Sequence, residues 1–393
     1  MTPPVKNRSP LALIFGTVFL DLVGFGIVIP VLPLYAERFG ASPLVIGLLL
    51  GIYSAMQCLF APILGKLSDR FGRRPVLLVS VIGTSAGFLL MGLANSLWLL
   101  FAARVIDGIT GGNISTAQAY IADVTSSKDR SRGMGLIGAG FGLGFILGPA
   151  IGGLLSHVSL AAPFLFASFL AAANAVAIFF FLPESLPVER RRKAHEHPSF
   201  VVLFQQARKR PLAIILAAYF FTVVSFSLLT ATYSLFTERR FGYTASQNGY
   251  IFAGQGLLGT VIQGGLLGWL VKVFGDKKLV IAGTATLALS LFLLPLSTTT
   301  VFLLCVTTGI AIGHSFVLAP LNGLASKSVN ETSQGQVLGM MQSASSFARI
   351  VGPVLGGGLL NYDALHLTSA FGKTPYLAAG AITLLAVGFA MGL

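Results

Sequence analysis

Long apolar runs, separated by short polar or glycine- and proline-containing breaks, dominate the chain. A membrane-spanning helix needs roughly 20 mostly apolar residues in succession. Runs of that length occur on both sides of a polar, basic stretch at 184–210. We therefore predict twelve transmembrane helices, six before this stretch and six after it. They are expected at residues 11–36, 43–66, 75–96, 97–122, 131–157, 161–182, 211–236, 245–271, 279–297, 299–325, 333–360 and 374–393.

The composition of the chain supports a membrane protein. Hydrophobic residues make up 54% of the 393 residues and charged residues only 10%, whereas soluble proteins carry about 25% charged residues. This excludes an ordinary soluble fold, and it excludes a disordered chain, which has few apolar residues and high charge. The predicted fold is an all-α integral membrane protein with two pseudo-symmetric six-helix lobes at 1–183 and 211–393. A cytoplasmic loop at 184–210 is expected to join them.

Two sequence motifs recur in the two halves. GKLSDRFGRR begins at Gly65 after the second predicted span, and the related GWLVKVFGDK begins at Gly268 after the eighth. GPAIGG begins at Gly148 in the fifth span and returns as GPVLGG from Gly352 in the eleventh. The two pairs are separated by almost the same number of residues, which indicates a duplicated bundle. Parallel six-helix halves around a cavity at the membrane midplane are a known transporter architecture.

The positive charges are distributed unevenly over the predicted loops. The net charge is +13, and cytoplasmic loops are the ones that carry an excess of Lys and Arg. If the N-terminus is cytoplasmic, only Arg38, Arg239, Arg240 and Lys373 fall in loops on the outer side. We therefore expect both termini in the cytoplasm and the protein in the inner (cytoplasmic) membrane. The charge then needs no nucleic-acid partner, and lipid phosphates are its expected contacts.

Four charged residues lie inside predicted spans, where charge is costly and marks functional sites. They are Asp21, Arg104, Asp107 and Arg349. Burial in a low dielectric disfavours the charged form of a carboxyl group, so Asp21 and Asp107 are candidate proton carriers. Arg104 is three residues from Asp107 and shares its helix face. A permanent structural pair of Arg104 with Asp107, and a purely structural Asp21, remain open alternatives.

Further polar side chains inside the spans are candidates for a substrate cavity. The stripe that begins at Arg104 continues through Ser115 and Gln118 at helical spacing. Arg349 is expected to bind an anionic group or act as a counter-ion, with pairing to Asp21 or to helix carbonyls as the alternative. A polar and aromatic stripe on the seventh span is either a ligand-binding wall or helix packing. Its members are Tyr219, Thr222, Phe226, Thr230 and Tyr233, and the other cavity candidates are Gln57, Asn113, Gln255, His314 and Gln342.

The loop after the second span is the most specific motif. A glycine at its start permits close helix approach, a glycine later permits a tight turn, and its carboxylate and arginines can form ion pairs at the membrane face. Its candidate residues are Gly65, Asp69, Arg70, Gly72, Arg73 and Arg74.

Five stretches together resemble the major facilitator superfamily, and more narrowly its twelve-span drug:proton antiporters of the tetracycline-exporter-like branch. They are GKLSDRFGRR at 65–74, RVIDGITGG at 104–112, GLGFILGPAIGG at 142–153, LDLVGFGIVIPVLP at 20–33 and AYIADVT at 119–125.

The resemblance implies roles for two of these motifs, and it makes the loop at 65–74 a gating motif. It implies that Asp69 latches the N-terminal lobe to the eleventh helix, and that Arg73 pairs with Asp123 when the cytoplasmic side is closed. It also implies an antiporter motif on the fifth span that shapes the contact with the other lobe. The residues of that motif are Gly144, Gly148, Pro149, Gly152 and Gly153.

The resemblance has one clear departure. Exporters of that branch carry an acidic residue in the ninth span and a histidine in the eighth, and neither 279–297 nor 245–271 contains one. No predicted span of the C-terminal half contains Asp or Glu. Proton coupling is therefore expected in the N-terminal half, and tetracycline itself is not the expected substrate.

The sequence predicts a secondary active transporter and not an enzyme. Because no GxxxxGK[ST] motif for ATP phosphates occurs, we expect the proton gradient to supply the energy, with no cofactor and no metal. The favoured activity is proton-coupled export of an amphipathic organic compound by a monomer. Symport or uniport of a polar or anionic metabolite is the alternative, and a non-transporting membrane scaffold is a third possibility.

Overall fold

The computed structural model describes residues 9–125, 130–187, 191, 210–329, 334–366 and 371–393. Over these residues the chain is helical and contains no strand, which confirms the predicted all-α membrane fold. The first half contains α1 (Ser9–Glu37), α2 (Pro43–Phe71), α3 (Arg73–Gly92), α4 (Leu97–Thr110), α5 (Asn113–Val124), α6 (Arg130–Leu155) and α7 (Ala162–Phe181). The second half contains α8 (Arg210–Phe241), α9 (Ala245–Val261), α10 (Leu267–Phe274), α11 (Asp276–Leu293), α12 (Thr300–Lys327), α13 (Gln334–Leu365) and α14 (Lys373–Met391).

Ten helical segments in the described residues are long and apolar enough to cross a membrane. The predicted fourth and eleventh spans are not among these ten. The fourth corresponds to α4 and α5, which have only 14 and 12 residues. The predicted eleventh span corresponds to α13, a 32-residue helix whose first half is rich in glutamine, serine and glycine. Large apolar side chains such as Phe180 and Leu289 are exposed on the outside of the bundle, where lipid chains would cover them.

Two of the predicted spans are interrupted in the membrane. The fourth span breaks at Gly111 and Gly112, between α4 and α5. Non-helical backbone inside a membrane needs replacement hydrogen bonds, and Gln57 supplies one through its Nε2, which donates to the carbonyl oxygen of Gly111 at 2.7 Å. The eighth span contains a π-helical turn, Ile262–Leu266, between α9 and α10. Such turns occur often at functional sites.

The recurring loop motifs adopt the same backbone conformation in both halves. Gly72 ends α2 with φ of 108°, and Gly275 ends α10 with φ of 80°. An L-residue with a side chain rarely adopts this left-handed conformation. Each glycine therefore permits an abrupt turn into the following helix, as the duplicated motif predicts.

Each half packs around its own set of helices. In the first half α1 packs on α6 and α3 packs on α7, while in the second half α8 packs on α13 and α14, and α11 on α12. Separate buried apolar clusters form around Leu77 and Tyr120 in the first half and around Val224 and Val317 in the second. The segment 184–210, predicted as the interlobe loop, lies mostly outside the described residues.

The two halves touch mainly through two helix pairs, α2 with α13 and α6 with α9. At one end of the bundle these helices meet backbone to backbone, since a Cβ added at Gly249 would lie 2.7 Å from the Cα of Gly153. The Glu37 carboxylate and the Arg239 guanidinium also pair across the halves at this end, 3.0 Å apart. We call it the closed end.

Toward the other end the halves separate. Among the described residues, no atom beyond the neighbouring backbone of its own helix lies within 4 Å of a Cβ built at Gly65, Gly138, Gly264 or Gly339. These glycines lie on α2, on α6, in the π turn after α9 and on α13. We call this the open end, and it carries Asp69. The two halves thus meet at the closed end and lie apart at these positions of the open end.

Two helices of the second half extend beyond their predicted spans at the closed end, and each includes an acidic residue there. α8 continues to Phe241 and includes Glu238, and α13 continues to Leu365 and includes Asp363. Asp363 is buried and accepts hydrogen bonds from the N–H and the hydroxyl of Thr374. Both acids lie near the closed end of their helices, away from the helix centres.

Candidate functional site

The candidate site begins with Asp21, in the middle of α1. Its Oδ1 accepts a hydrogen bond of 3.1 Å from Nδ2 of Asn113, the first residue of α5. Asn113 is 1% exposed, and its own Oδ1 is buried with no hydrogen-bond partner among the described residues. The break at Gly111 and Gly112 starts α5 at Asn113, so the interrupted span positions the amide that holds the Asp21 carboxyl group.

Arg104 and Asp107 form a buried ion pair on α4. The Nη1 of Arg104 lies 3.2 Å from Oδ2 of Asp107, and the two side chains are 2% and 6% exposed. Their separation by three residues places them on one helix face, as predicted. The ring of Tyr53, on α2, covers the guanidinium with 4.2 Å between Cζ and the ring centroid. The Nε of Arg104 is buried without a hydrogen-bond partner in the part of the chain that is described.

Tyr53 lies among these groups. Its hydroxyl accepts a hydrogen bond of 3.2 Å from Nε2 of Gln57, the same atom that donates to Gly111. The hydroxyl interacts electrostatically with Asp21 and Asp107 of the first half and with Arg349 of the second. Asp107 also interacts electrostatically with Asp21. The two candidate proton carriers therefore lie near enough for their charges to interact, and no hydrogen bond or ion pair among the described residues joins them directly.

Arg349 lies near the centre of α13, on the side of the second half that faces α2. Its Nη2 donates a hydrogen bond of 3.1 Å to Oγ of Ser345. Tyr219 of α8 interacts with Arg349 and also with the side chains of Ser345 and Asn322. Within the described residues no carboxylate is within ion-pair distance of Arg349, so the expected alternative of a pair with Asp21 is absent.

The residues of the stripe on the seventh span differ in burial. Some lie in the interior of the second half, and others lie on its face toward the first half. Thr222 and Tyr233 are buried inside the second half, where Thr222 donates to the carbonyl of Ala218. Thr230 is partly buried and donates to the carbonyl of Ser227. The ring of Phe226 stacks on the imidazole of His314 with 3.8 Å between ring centroids. His314 thus has an aromatic neighbour on α8.

The remaining cavity candidates lie apart from the charged groups of the first half. Ser115, Gln118 and Gln342 are exposed, and Ser115 donates to the carbonyl of Gly112. Gln255 lines a groove of about 350 Å³ between α9 and α12, together with Tyr250 and Thr307. Among the described residues no group of three or more His, Cys, Asp or Glu side chains could hold a metal ion.

The predicted gating loop forms a compact network at the open end. Arg73 lies 2.6 Å from Asp69 and 3.1 Å from Asp123, and it donates to Ser68. The pair of Arg73 with Asp123 is therefore present although the halves separate at this end, and it is not confined to a conformation that is closed here. Arg70 lies over the ring of Phe71, and Arg74 donates to the carbonyl of Phe179.

Glu184 is a member of this network that sequence reasoning missed. Its carboxylate accepts hydrogen bonds from the N–H groups of Arg73 and Arg74, at 2.8 and 3.2 Å, and so caps the N-terminus of α3. A carboxylate there satisfies unpaired backbone donors and favours the helix dipole. It also lies 3.8 Å from Arg191. Its position just after Pro183 at the end of the sixth span was the only signal available.

The glycine motif of α6 provides two close helix contacts. Gly144, Gly148 and Gly152 recur every four residues and face α1, where a Cβ at Gly148 would lie 2.8 Å from the Cα of Gly26. The ring of Pro149 packs at Gly26 as well. Gly153 faces the other half and meets Gly249 of α9. One face of α6 therefore fixes α1, which carries Asp21, and an adjacent face contacts the second half.

Comparison with known proteins agrees with this geometry. Residues 14–353 and 215–393 match the sequence profile of the Major Facilitator Superfamily. The chain is 37% identical over 360 residues to the class C tetracycline resistance protein of Escherichia coli, with 89% of each protein covered. It is 28% identical over 390 residues to multidrug resistance protein 2 of Bacillus subtilis (strain 168), which covers 98% of this chain and 95% of the relative.

Solved transporter structures share the fold. The crystal structure of the human organic anion transporter MFSD10 is 25% identical, with a TM-score of 0.72 over 99% of this chain and 100% of that one. A bacterial homolog of the human lysosomal transporter Spinster, in an inward-facing and occupied conformation, has a TM-score of 0.83 at 16% identity and covers 97% of this chain and 95% of that one. At this identity the second likeness concerns the fold alone. The sequence profile and the relatives cover most of the chain, and together with the all-helical bundle they show that the protein belongs to the major facilitator superfamily of membrane transporters.

Proposed function

We propose that the protein exports an amphipathic organic compound in exchange for protons, by alternating access between two lobes at residues 1–183 and 211–393. The observation that carries this proposal is the presence of two carboxyl groups near each other inside the first half, the partly buried Asp21 and the buried Asp107. Two carboxyl groups held in a low dielectric suit reversible proton binding. The names of the relatives, tetracycline resistance and multidrug resistance proteins, support efflux as the direction.

The proposal includes an orientation. Both termini face the cytoplasm of a cell with an inner membrane, because this placement puts most Lys and Arg residues of the loops on the inner side. The open end, which carries Asp69, then faces the cytoplasm and the described conformation faces inward. The energy source is the proton gradient, and the protein acts as a monomer without a cofactor. Lipid phosphates contact the basic loops.

The test begins with a ligand screen on purified protein. A thermal-shift screen of dyes, antibiotics, sugars and carboxylates identifies the compound that stabilises the protein most. Its transport is then followed in proteoliposomes with an imposed pH gradient. Antiport predicts accumulation when the lumen is acidic, whereas symport of a metabolite predicts accumulation when the lumen is alkaline. Transport without any dependence on the gradient would contradict the proposal.

Substitutions connect the gradient dependence with the site. Asp21→Asn and Asp107→Asn keep the shape of the side chains and remove the titrating group, so gradient-driven accumulation should be lost in at least one of them. Asp276→Asn is the matched control, since Asp276 pairs with the exposed Lys327 at the membrane face, 2.5 Å away. This variant should keep gradient-driven transport. Equal loss in all three variants would count against a specific role of the buried carboxyl groups.

A further inference from the structure

Arg349 carries a partly buried positive charge near the middle of a predicted span, and no carboxylate among the described residues pairs with it. A guanidinium has five N–H donors, and the hydrogen bond from Nη2 to Ser345 is the one it makes within the described part of the chain. The other intramembrane charges are already engaged. Asp21 accepts from Asn113, and Arg104 and Asp107 pair with each other. None of these carboxylates is therefore available as the counter-ion of Arg349.

A charge inside a membrane span is costly, even where part of its side chain is accessible. Proteins retain such a group where a ligand supplies the opposite charge, and an intramembrane arginine in a transporter is a functional candidate by default. The polar groups beside Arg349 are hydroxyl and amide groups, from Ser345, Tyr219 and Asn322. Hydroxyl and amide N–H groups donate hydrogen bonds to an anion without adding negative charge.

The position of Arg349 places this cluster between the two halves. The neighbouring Ile350 contacts α2, since its carbonyl oxygen lies 3.4 Å from a Cβ built at Gly51. Arg349 interacts electrostatically with Tyr53 of α2 as well as with Tyr219 of α8. An anion bound at Arg349 would therefore contact hydroxyl groups from both halves.

Aromatic side chains lie near Tyr53 and favour an aromatic ring system in the rest of the ligand. The ring of Phe25 lies 6.1 Å from that of Tyr53 and 5.9 Å from that of Phe145. Phe25, Phe145 and Phe226 are partly buried at the junction of the halves and pack against one apolar cluster. Aromatic ring systems stack favourably against such side chains.

We propose that Arg349, together with Tyr53 and Tyr219, binds the anionic group of the transported compound, and that the substrates are aromatic organic acids. This inference rests on the proposed function, because it assigns a chemical class to the compound that is exported. It also gives Tyr53 a second role. The Tyr53 ring covers Arg104, so an anion beside Tyr53 adjoins the pair of Arg104 with Asp107.

The test compares 2-naphthoate with 2-naphthamide, which share one ring system and present a carboxylate and a neutral amide respectively. Their binding to the purified full-length protein is measured in detergent by isothermal titration calorimetry, with no pH gradient present. The wild-type protein should bind 2-naphthoate more tightly than 2-naphthamide by about tenfold or more, as expected for a charge-assisted hydrogen-bonded pair. The preference should disappear in Arg349→Gln, through weaker binding of the acid alone, and should persist in part in Arg349→Lys.

Controls separate this result from misfolding and from simple anion binding. Lys272→Gln removes an exposed positive charge at the end of α10 and should keep the preference for the acid. Tyr219→Phe preserves the ring and removes the hydroxyl group. It should weaken binding of the acid and leave binding of the amide unchanged. Equal binding of acid and amide, absence of binding by the acid, or a preference that survives Arg349→Gln would overturn the proposal. An Arg349-dependent response to inorganic phosphate or sulfate alone would overturn the assignment to organic acids.

Failure of this inference can be distinguished from failure of the proposed function. Loss of the acid preference with intact gradient-driven export of another compound would refute the substrate class alone. A clear Arg349-dependent preference without any dependence of transport on the pH gradient would refute proton coupling alone.

Discussion

The buried pair of Arg104 with Asp107 gives a quantitative prediction for Asp107→Asn. The substitution keeps the volume of the side chain and removes its charge, so it leaves the Arg104 guanidinium in the membrane without its counter-ion. Removing one partner of a buried ion pair typically costs about 3–5 kcal/mol. The Tyr53 ring, 4.2 Å from the guanidinium, contacts the cation in the wild type and in the variant alike, so this contact does not offset the cost.

The expected loss for Asp107→Asn is therefore about 3–5 kcal/mol of unfolding free energy. The assay is reversible unfolding by steric trapping in bicelles, where the wild type and the variant are compared at one pH. The double variant Arg104→Gln/Asp107→Asn should be more stable than the sum of the two single effects predicts, by at least about 1 kcal/mol, because the partners are in contact.

Two results would refute this reasoning. One is an Asp107→Asn variant as stable as the wild type within about 0.5 kcal/mol, the usual range of a neutral surface substitution. The other is strict additivity of the single substitutions, which would show that the two side chains do not interact. Asp276→Asn is again the control, since its exposed partner Lys327 contributes little to stability.

Three further predictions concern the contacts around the site. Gly249→Ala places a Cβ 2.7 Å from the Cα of Gly153 on α6. Spin-label distances across the closed end should therefore increase, and transport should fall. Gly254→Ala is the control: its Cβ would meet no atom within 4 Å among the described residues outside its own helix, so it should leave both readouts unchanged. Glu184→Gln removes the charge that caps α3 and should lower stability by about 1 kcal/mol in thermal unfolding; an unchanged melting temperature would contradict the cap. Glu37→Gln should increase cysteine labelling at the closed end, because it removes the charge that pairs with Arg239. The exchanged pair Glu37→Arg/Arg239→Glu should lower the labelling again if the two charges hold the halves together.

The sequence predicted the helical architecture well because membrane insertion imposes a strong pattern. Apolar runs of sufficient length must become helices in lipid, and the duplicated motifs indicated two related halves before any contact was known. The breaks within individual spans were harder to predict from the sequence. A single span was predicted at 97–122, and it breaks at Gly111 because Gln57, far away in sequence, satisfies the freed carbonyl group.

The contacts within the candidate site were predictable only where they are local. The spacing of Arg104 and Asp107 on one helix face predicted their contact. The hydrogen bond between Asp21 and Asn113 joins residues 92 positions apart, and no pattern along the chain encodes it. Tyr53 was missed because an aromatic residue in an apolar span looks like ordinary packing, and its place over Arg104 appears only in three dimensions.

The most direct test of proton exchange at the buried carboxyl groups is proton release from the purified protein. The best ligand from the thermal-shift screen is added to the protein in weakly buffered detergent solution, and a pH indicator dye reports the released protons. The account predicts release on ligand addition by the wild type and by Asp276→Asn, and loss of release in Asp21→Asn or Asp107→Asn. Ligand binding with no proton release, or with release unchanged in both buried variants, would contradict it.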